Sequence, residues 1–235
     1  MGPAVSADKN IKTALLFGAS RGLGLGLARE YLARGWRVIA TARDNAGGLE
    51  ALKAPPERLR IEHVDIADTH GVNALGQRLE AEALDLLFLV AGISGSVPKP
   101  LHAVSADEAA RVYLVNTYYP IVAAEALSSR LKPGGVVAFM SSMLGSIDMN
   151  VGRADWETYR TSKAGLNMAS RSFFNRHSSH PVLAIAPGWV RTDMGGPSAT
   201  FDVETSCRNV ANAIEKHAGK PGHRYVNYDG SELPW

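Results

Sequence analysis

Tyr159 and Lys163 stand four residues apart in Tyr159-Arg160-Thr161-Ser162-Lys163, the spacing that stacks two side chains on one face of a helix. A tyrosine is a poor acid–base group near neutrality because its ordinary pKa is about 10. A neighbouring ammonium favours the phenolate, which is one way to bring a phenol into use as a proton donor or acceptor. Any exposed helix can carry the same two residues, so the pair gains meaning only from what accompanies it.

Two further stretches could bind a nucleotide. Gly18-Ala19-Ser20-Arg21-Gly22-Leu23-Gly24 joins an apolar run to a segment of helical spacing. Glycines there permit a tight turn and let a pyrophosphate approach the positive end of a helix. The spacing is Gly-x3-Gly-x-Gly rather than Gly-x-Gly-x2-Gly, and the plain alternative is an ordinary strand-to-helix turn. The second apolar run ends in Thr41-Ala42-Arg43, where a doubly wound fold meets the adenosine ribose. An acid at that point suits a free 2′-hydroxyl and an arginine a 2′-phosphate. Arg43, with Arg21 in the glycine turn, favours NADP(H) over NAD(H), against the alternative of two solvated surface arginines.

These residues need a scaffold, and the apolar pattern supplies one. Residues 13–17, 37–42, 59–64, 85–90, 136–140 and 182–186 read as buried strands, with 224–226 as a further short one. Helical spacing fills the intervals at 23–33, 72–81 and 107–118. Such alternation predicts a single-domain, Rossmann-type doubly wound α/β fold, a parallel sheet of about seven strands with helices on both faces. Gly- and Pro-rich breaks at 54–56, 97–100, 132–135 and 195–197 read as loops. Residues 1–10 read as a mobile leader, leaving one domain over 11–235.

Composition narrows the partners. In 235 residues the net charge is +2 with both signs interspersed, which gives no electrostatic footprint for nucleic acid or a membrane surface. No apolar run reaches the ~18–20 residues that span a bilayer. Cys207 is the only cysteine, so neither an internal disulfide nor a multi-cysteine metal site can form. The seven histidines show no metal-ligand spacing, and no metal is expected. A cytoplasmic location follows as the expectation.

The glycine turn, Ser141-Ser142, Tyr159-x3-Lys163 and Pro187-Gly188-Trp189-Val190-Arg191-Thr192 occur in that order. Together they resemble the short-chain dehydrogenase/reductase family, from Lys12 to the end of the chain. Residues 140–147, 159–168, 192–197 and 228–235 are similar to the branch containing the sniffer carbonyl reductase and the bacterial C-factor proteins. The resemblance implies an NADP(H)-dependent oxidoreductase that interconverts a carbonyl and an alcohol by hydride transfer. Tyr159 would be the general acid or base, and Lys163 would depress its pKa and bind the nicotinamide ribose. Ser142 would hold the substrate oxygen, and Asn116 would position a water linking Lys163 to solvent. An asparagine on a helix can instead simply satisfy buried backbone groups, and Ser141 competes with Ser142, because alternation along the strand sends the two to opposite faces.

Further cofactor contacts follow from the same likeness. Gly18, Ser20, Arg21, Gly22, Leu23 and Gly24 would cradle the pyrophosphate, with Arg43 at the ribose. Asp65 and Ile66 would meet the adenine, and Ala91 and Gly92 would lie against the ribose. Pro187, Gly188, Val190 and Thr192 would line the nicotinamide. The family usually shows Asn-Asn-Ala-Gly where this chain has Leu89-Val90-Ala91-Gly92, so amides that brace the central sheet are missing. Ser142 precedes Tyr159 by 17 residues, more than is common, and residues 149–156 read as a loop insertion, substrate-shaping or inert. The expected partner is a small-molecule carbonyl or alcohol, and relatives form a homodimer or homotetramer as well as monomers. The competing function is a dinucleotide-binding signalling or regulatory protein of the C-factor type with little turnover.

Overall fold

The sheet order puts a reversal at its centre. In a computed structural model that describes residues 11–152 and 155–235, the strands are β1 (Thr13–Phe17), β2 (Arg37–Ala42), β3 (Leu59–His63), β4 (Leu84–Leu89), β5 (Leu131–Met140), β6 (Pro181–Ala186) and β7 (Gly222–Asn227). They lie in the order β3-β2-β1-β4-β5-β6-β7, and every pairing between neighbours is parallel. The chain leaves β1 toward one edge and returns at β4 toward the other, so a crevice opens between their C-terminal ends, where ligands bind in open α/β sheets. The expected leader and two residues of the 149–156 insertion lie outside the described residues.

Helices cover both faces, as buried parallel strands require. Alternation along β1 sends Ala14 and Leu16 to one core and Leu15 and Phe17 to the other. The first core is closed by α1 (Gly22–Ala33) and α7 (Val203–His217), through Leu27, Tyr31, Val210 and Ile214. The second is closed by α3 (Thr69–Arg78), α5 (Tyr119–Leu127) and α6 (Glu157–Arg176), through Leu75, Leu127, Leu166 and Phe173. The short α2 (Gly47–Glu50) follows β2, and α4 (Ala106–Tyr113) precedes α5.

Two local expectations change. Residues 132–135 are part of β5 rather than a free loop: Leu131 pairs with Leu84 and Val136 with Leu86, so the residues between them bulge outward, with Gly134 at φ +78. Their Gly-Pro content marked an irregularity that the strand absorbs. The helix expected over 107–118 does not stop before Pro120. It runs from α4 through one π-helical turn, Leu114–Tyr118, into α5, where Pro120 occupies the first turn and has no N–H to offer.

Candidate active site

The glycine turn is fastened from below and open above. Gly18 N–H donates to the Thr41 hydroxyl (2.9 Å) and Ala19 N–H to the Thr41 carbonyl (2.8 Å), so the end of β2 fixes the turn. Gly18 has φ +88, and a Cβ there would stand 2.8–2.9 Å from Ala91; one on Gly24 would stand 2.1 Å from the Gly18 oxygen. Only glycine allows these approaches. The N-terminus of α1 has no side-chain cap and no acidic residue in its first turn, which leaves free N–H groups and a positive end suited to a phosphate. Beside it is a cavity of about 270 Å³ lined by Ser20, Arg21, Arg43, Asp44, Asn45 and Gly48.

Both arginines of that cavity already have carboxylate neighbours. Arg21 Nη1 lies 2.7 Å from Asp193 Oδ2 and Arg43 Nε 2.9 Å from Asp44 Oδ2, all four side chains largely exposed. Exposed pairs of this kind hold weakly, at about 0–1 kcal/mol, so either guanidinium can turn to a phosphate. The residues therefore fit a 2′-phosphorylated dinucleotide. Across the crevice, Thr192 Cγ2 stands 3.7 Å from the place a Gly22 Cβ would take, which brings the segment after β6 over the glycine turn. Gly188 turns at φ +80 against Phe201 and Tyr228, Val190 is buried and bridges Phe201, and the Ser206 hydroxyl donates to the Pro187 carbonyl (2.8 Å). Asp65 accepts from Ala67 N–H (2.9 Å) at the end of β3, and Ile66 is buried in the core, leaving its main chain rather than its side chain toward an adenine.

The four residues expected to do chemistry converge. Tyr159 and Lys163 lie on one face of α6, both buried, with the Lys163 ammonium 5.7 Å from the centre of the Tyr159 ring. Ser142 follows β5, its hydroxyl accepting from Leu144 N–H (3.2 Å) and standing near enough to the Tyr159 phenol to act on its pKa. The Ser141 hydroxyl instead donates to Asn167 Oδ1 (2.6 Å), so it is engaged away from Tyr159. A Cβ on Gly92 would sit 3.2 Å from Asn116 Oδ1 and 3.4 Å from Lys163 Nζ, so Gly92 leaves room for both.

Two electrostatic details differ from the sequence-based expectation. Burial pushes the Tyr159 phenol up to about 12, with nearby Ser142 pulling the other way, and burial pushes Lys163 down to about 7. In this geometry desolvation outweighs any depression of the phenol by the ammonium: the phenol is favoured in its neutral form, and the lysine gives up its proton near pH 7. The Asn116 carboxamide is also committed: Oδ1 accepts from Ile93 N–H (2.8 Å), and Nδ2 donates to the Ile93 carbonyl (2.8 Å) and the Ser162 hydroxyl (3.0 Å). Its side chain ties β4's exit loop to α6, and Asn116 lies in the π-helical turn, which loosens the main-chain ladder there. Where the family's side-chain amides are missing after β4, the main chain is held to β1 by Val90 and Ala91 N–H, which both donate to the Phe17 carbonyl (2.9 and 3.0 Å).

Sequence reasoning missed several supporting residues. Trp156 starts α6 in the left-handed region (φ 60) and packs edge-on to Tyr159, with ring centres 5.7 Å apart. Buried Arg160 holds that corner through the Asp155 carbonyl (2.7 Å) and carboxylate (2.9 Å). Gly145 lies so close to α6 that a Cβ would stand 2.9 Å from the Lys163 carbonyl carbon. Thr41 alone had a readable signal, a hydroxyl placed where the glycine turn needs an acceptor.

Comparison with known proteins gives the same grouping. A family model described as short chain dehydrogenase matches residues 12–202. The chain is 39% identical to a structure from Burkholderia multivorans, described as a short-chain dehydrogenase/reductase with bound NADP, covering 96% of this chain and 100% of that one at a TM-score of 0.92. It is 31% identical to the carbonyl reductase Sniffer of D. melanogaster, with the same coverage and a TM-score of 0.85. It is also 35% identical over 156 residues to C-signal of Myxococcus xanthus, 65% of this chain and 93% of that protein. Among the described residues no helix is long and apolar enough to cross a membrane, and no cluster of His, Cys, Asp or Glu could hold a metal.

Proposed function

The chain belongs to the short-chain dehydrogenase family, and from that membership we propose that it is an NADP(H)-dependent oxidoreductase reducing a small carbonyl compound to an alcohol, or the reverse. The observation that carries this reading is the buried Tyr159 phenol beside Ser142 and Lys163, since binding a dinucleotide alone needs no such phenol. NADPH, when bound, supplies a hydride to the carbonyl carbon. Tyr159 then gives its proton to the carbonyl oxygen, for which its raised pKa is no obstacle, because an alkoxide is a far stronger base than a phenolate. Ser142 donates to the same oxygen as charge develops on it. Lys163, with the Asn116 main chain, returns a proton toward Tyr159. Arg21 and Arg43 hold the 2′-phosphate, the first turn of α1 the pyrophosphate, and Thr192 the carboxamide.

The related structure with bound NADP and the likeness to a carbonyl reductase support cofactor and reaction class. NADPH titration followed by consumption with a panel of aldehydes and ketones tests the proposal. Tyr159→Phe should bind NADPH normally and lose roughly 10²–10⁴-fold in turnover; undiminished turnover in that variant would refute the assignment. The likeness to C-signal favours a second reading, a dinucleotide-binding signalling protein, which tight NADPH binding with no oxidation by any carbonyl would support. A cytoplasmic setting accords with the single, buried Cys207, and pairing of copies accords with the exposed Tyr113, Tyr118 and Met168.

A further inference from the structure

Ser142 is held from behind by the far end of the chain. Its carbonyl accepts from Gly145 N–H (2.8 Å) and from the hydroxyl of Tyr225 in β7. Tyr225 is buried, and near its phenol lies Asn167, the residue that takes the Ser141 hydroxyl (2.6 Å) and donates to the Gly145 carbonyl (3.3 Å). One buried polar cluster therefore fixes both ends of the turn that begins at Ser142. Satisfied networks of this kind specify a single local geometry, and the loss of one member leaves its partners unpaired at high cost.

The ring of Tyr225 is fixed in turn by a column of aromatic side chains. Trp235 stacks on Tyr225 (5.2 Å, 27°) and on His223 (4.7 Å, 17°), and the Arg171 guanidinium lies 5.3 Å from the Trp235 ring centre. Arg171 Nε donates to His223 Nδ1 (2.7 Å), and Ser170 Oγ lies 2.9 Å from His223 Nε2. The same final residues grip the loop beyond Ser142: the Ser146 hydroxyl donates to the Pro234 carbonyl (2.8 Å), Asp148 N–H to the Trp235 main-chain oxygen (3.1 Å), and Leu233 N–H to the Tyr225 carbonyl (2.8 Å). Among the described residues none of these groups hydrogen-bonds the Tyr159 hydroxyl, although burial and, to a lesser extent, Tyr159 push the Tyr225 phenol up. Their common target is the backbone that aims the Ser142 side chain.

We propose that Tyr225, locked by Trp235, is a positioning residue for the reaction, setting the orientation of Ser142 toward Tyr159 and the substrate oxygen through the Ser142 carbonyl. The inference rests on the proposed function for its catalytic consequence but not for its structural one. Tyr225→Phe keeps the ring and removes only the hydroxyl. It should lower kcat about tenfold, the scale of one lost hydrogen bond, and leave NADPH affinity at the wild-type value. In a Ser142→Ala background the same change should cost less than about twofold, because residues acting as a unit are not additive. Trp235→Ala should copy Tyr225→Phe, and Trp235→Phe, which keeps the stack, should restore wild-type kcat.

Hydrogen exchange on the protein without nucleotide or substrate reads the structural half. Amides of 142–149 should exchange about tenfold faster in Tyr225→Phe and Trp235→Ala, with those of α1 unchanged. Wild-type kcat in Tyr225→Phe, an equal loss in both backgrounds, or unaltered exchange over 142–149 would each overturn the proposal. If the wild-type protein reduces no carbonyl, the proposed function falls, and the exchange measurement alone then upholds or overturns the positioning.

Discussion

Replacing Lys163 with methionine should make the protein more stable while abolishing turnover. The lysine is 2% exposed, and burial is the one cause lowering its pKa from 10.5 to about 7. At pH 7 the folded state holds about half a proton there and the unfolded chain a whole one. At 1.36 kcal/mol per factor of ten in proton affinity, the folded state is penalised by about 4 kcal/mol. Methionine removes the penalty and also the hydrogen bond from Nζ to the Met140 carbonyl (2.7 Å), whose loss costs about 1–3 kcal/mol. The net gain is about 1–3 kcal/mol, or roughly 3–10 °C in Tm for a chain of this size. The sign with pH follows from proton counts. Between about 7 and 10.5 the unfolded lysine is charged and the folded one is not, so wild-type stability rises toward alkaline pH. The advantage of the variant should accordingly shrink by about 2 kcal/mol from pH 7 to pH 9. Cys207 and Tyr159, both pushed up to about 12 by burial, lower stability at high pH in either protein and cancel in the difference. Urea denaturation of both nucleotide-free proteins at pH 7 and pH 9 measures the effect. A variant less stable than wild type at pH 7, or a difference that does not change with pH, would show that Lys163 is not held neutral by burial.

Arg43→Ala should raise the KM for NADPH about tenfold and leave that for NADH unchanged, the loss of one charge-assisted contact to a 2′-phosphate; steady-state kinetics with both cofactors distinguish this from general damage. Gly145→Ala should cost about 1–3 kcal/mol by overpacking, because its Cβ meets the Lys163 backbone at 2.9 Å. Its turnover should fall with its melting temperature, since the methyl pushes the Ser142 turn off α6.

The sheet was legible because its strands are buried on both faces and read as unbroken apolar runs; Thr13–Phe17 and Arg37–Ala42 match the expected limits. The helix at 107–118 continues further than its spacing shows, because a π-helical turn carries it into α5, where Pro120 is tolerated in the first turn. In the candidate site, Tyr159 and Lys163 were legible from their helical spacing, and Ser142 and Asn116 only through the resemblance of their motifs to the family. The protonation preferences of Tyr159 and Lys163 could not be read, since they depend on how completely the fold removes water, a property of many distant residues. Tyr225 and Asn167 were illegible for a related reason. Their partners Ser142 and Ser141 lie 83 and 26 residues away, and a tyrosine in a buried strand reads as core until its hydroxyl is seen to have an acceptor.

The contacts from 233–235 to 146–149 also bear on how such a chain could be recombined with a relative. Exchanging the loop after Ser142 alone would strand the Pro234 and Trp235 oxygens, which take the Ser146 hydroxyl and Asp148 N–H. Exchanging the last residues alone would unseat the ring that packs on Tyr225. The two segments, far apart in sequence, form one unit of inheritance, so a graft meant to change substrate preference must carry both, whereas the glycine turn and the end of β2 can stay with the host.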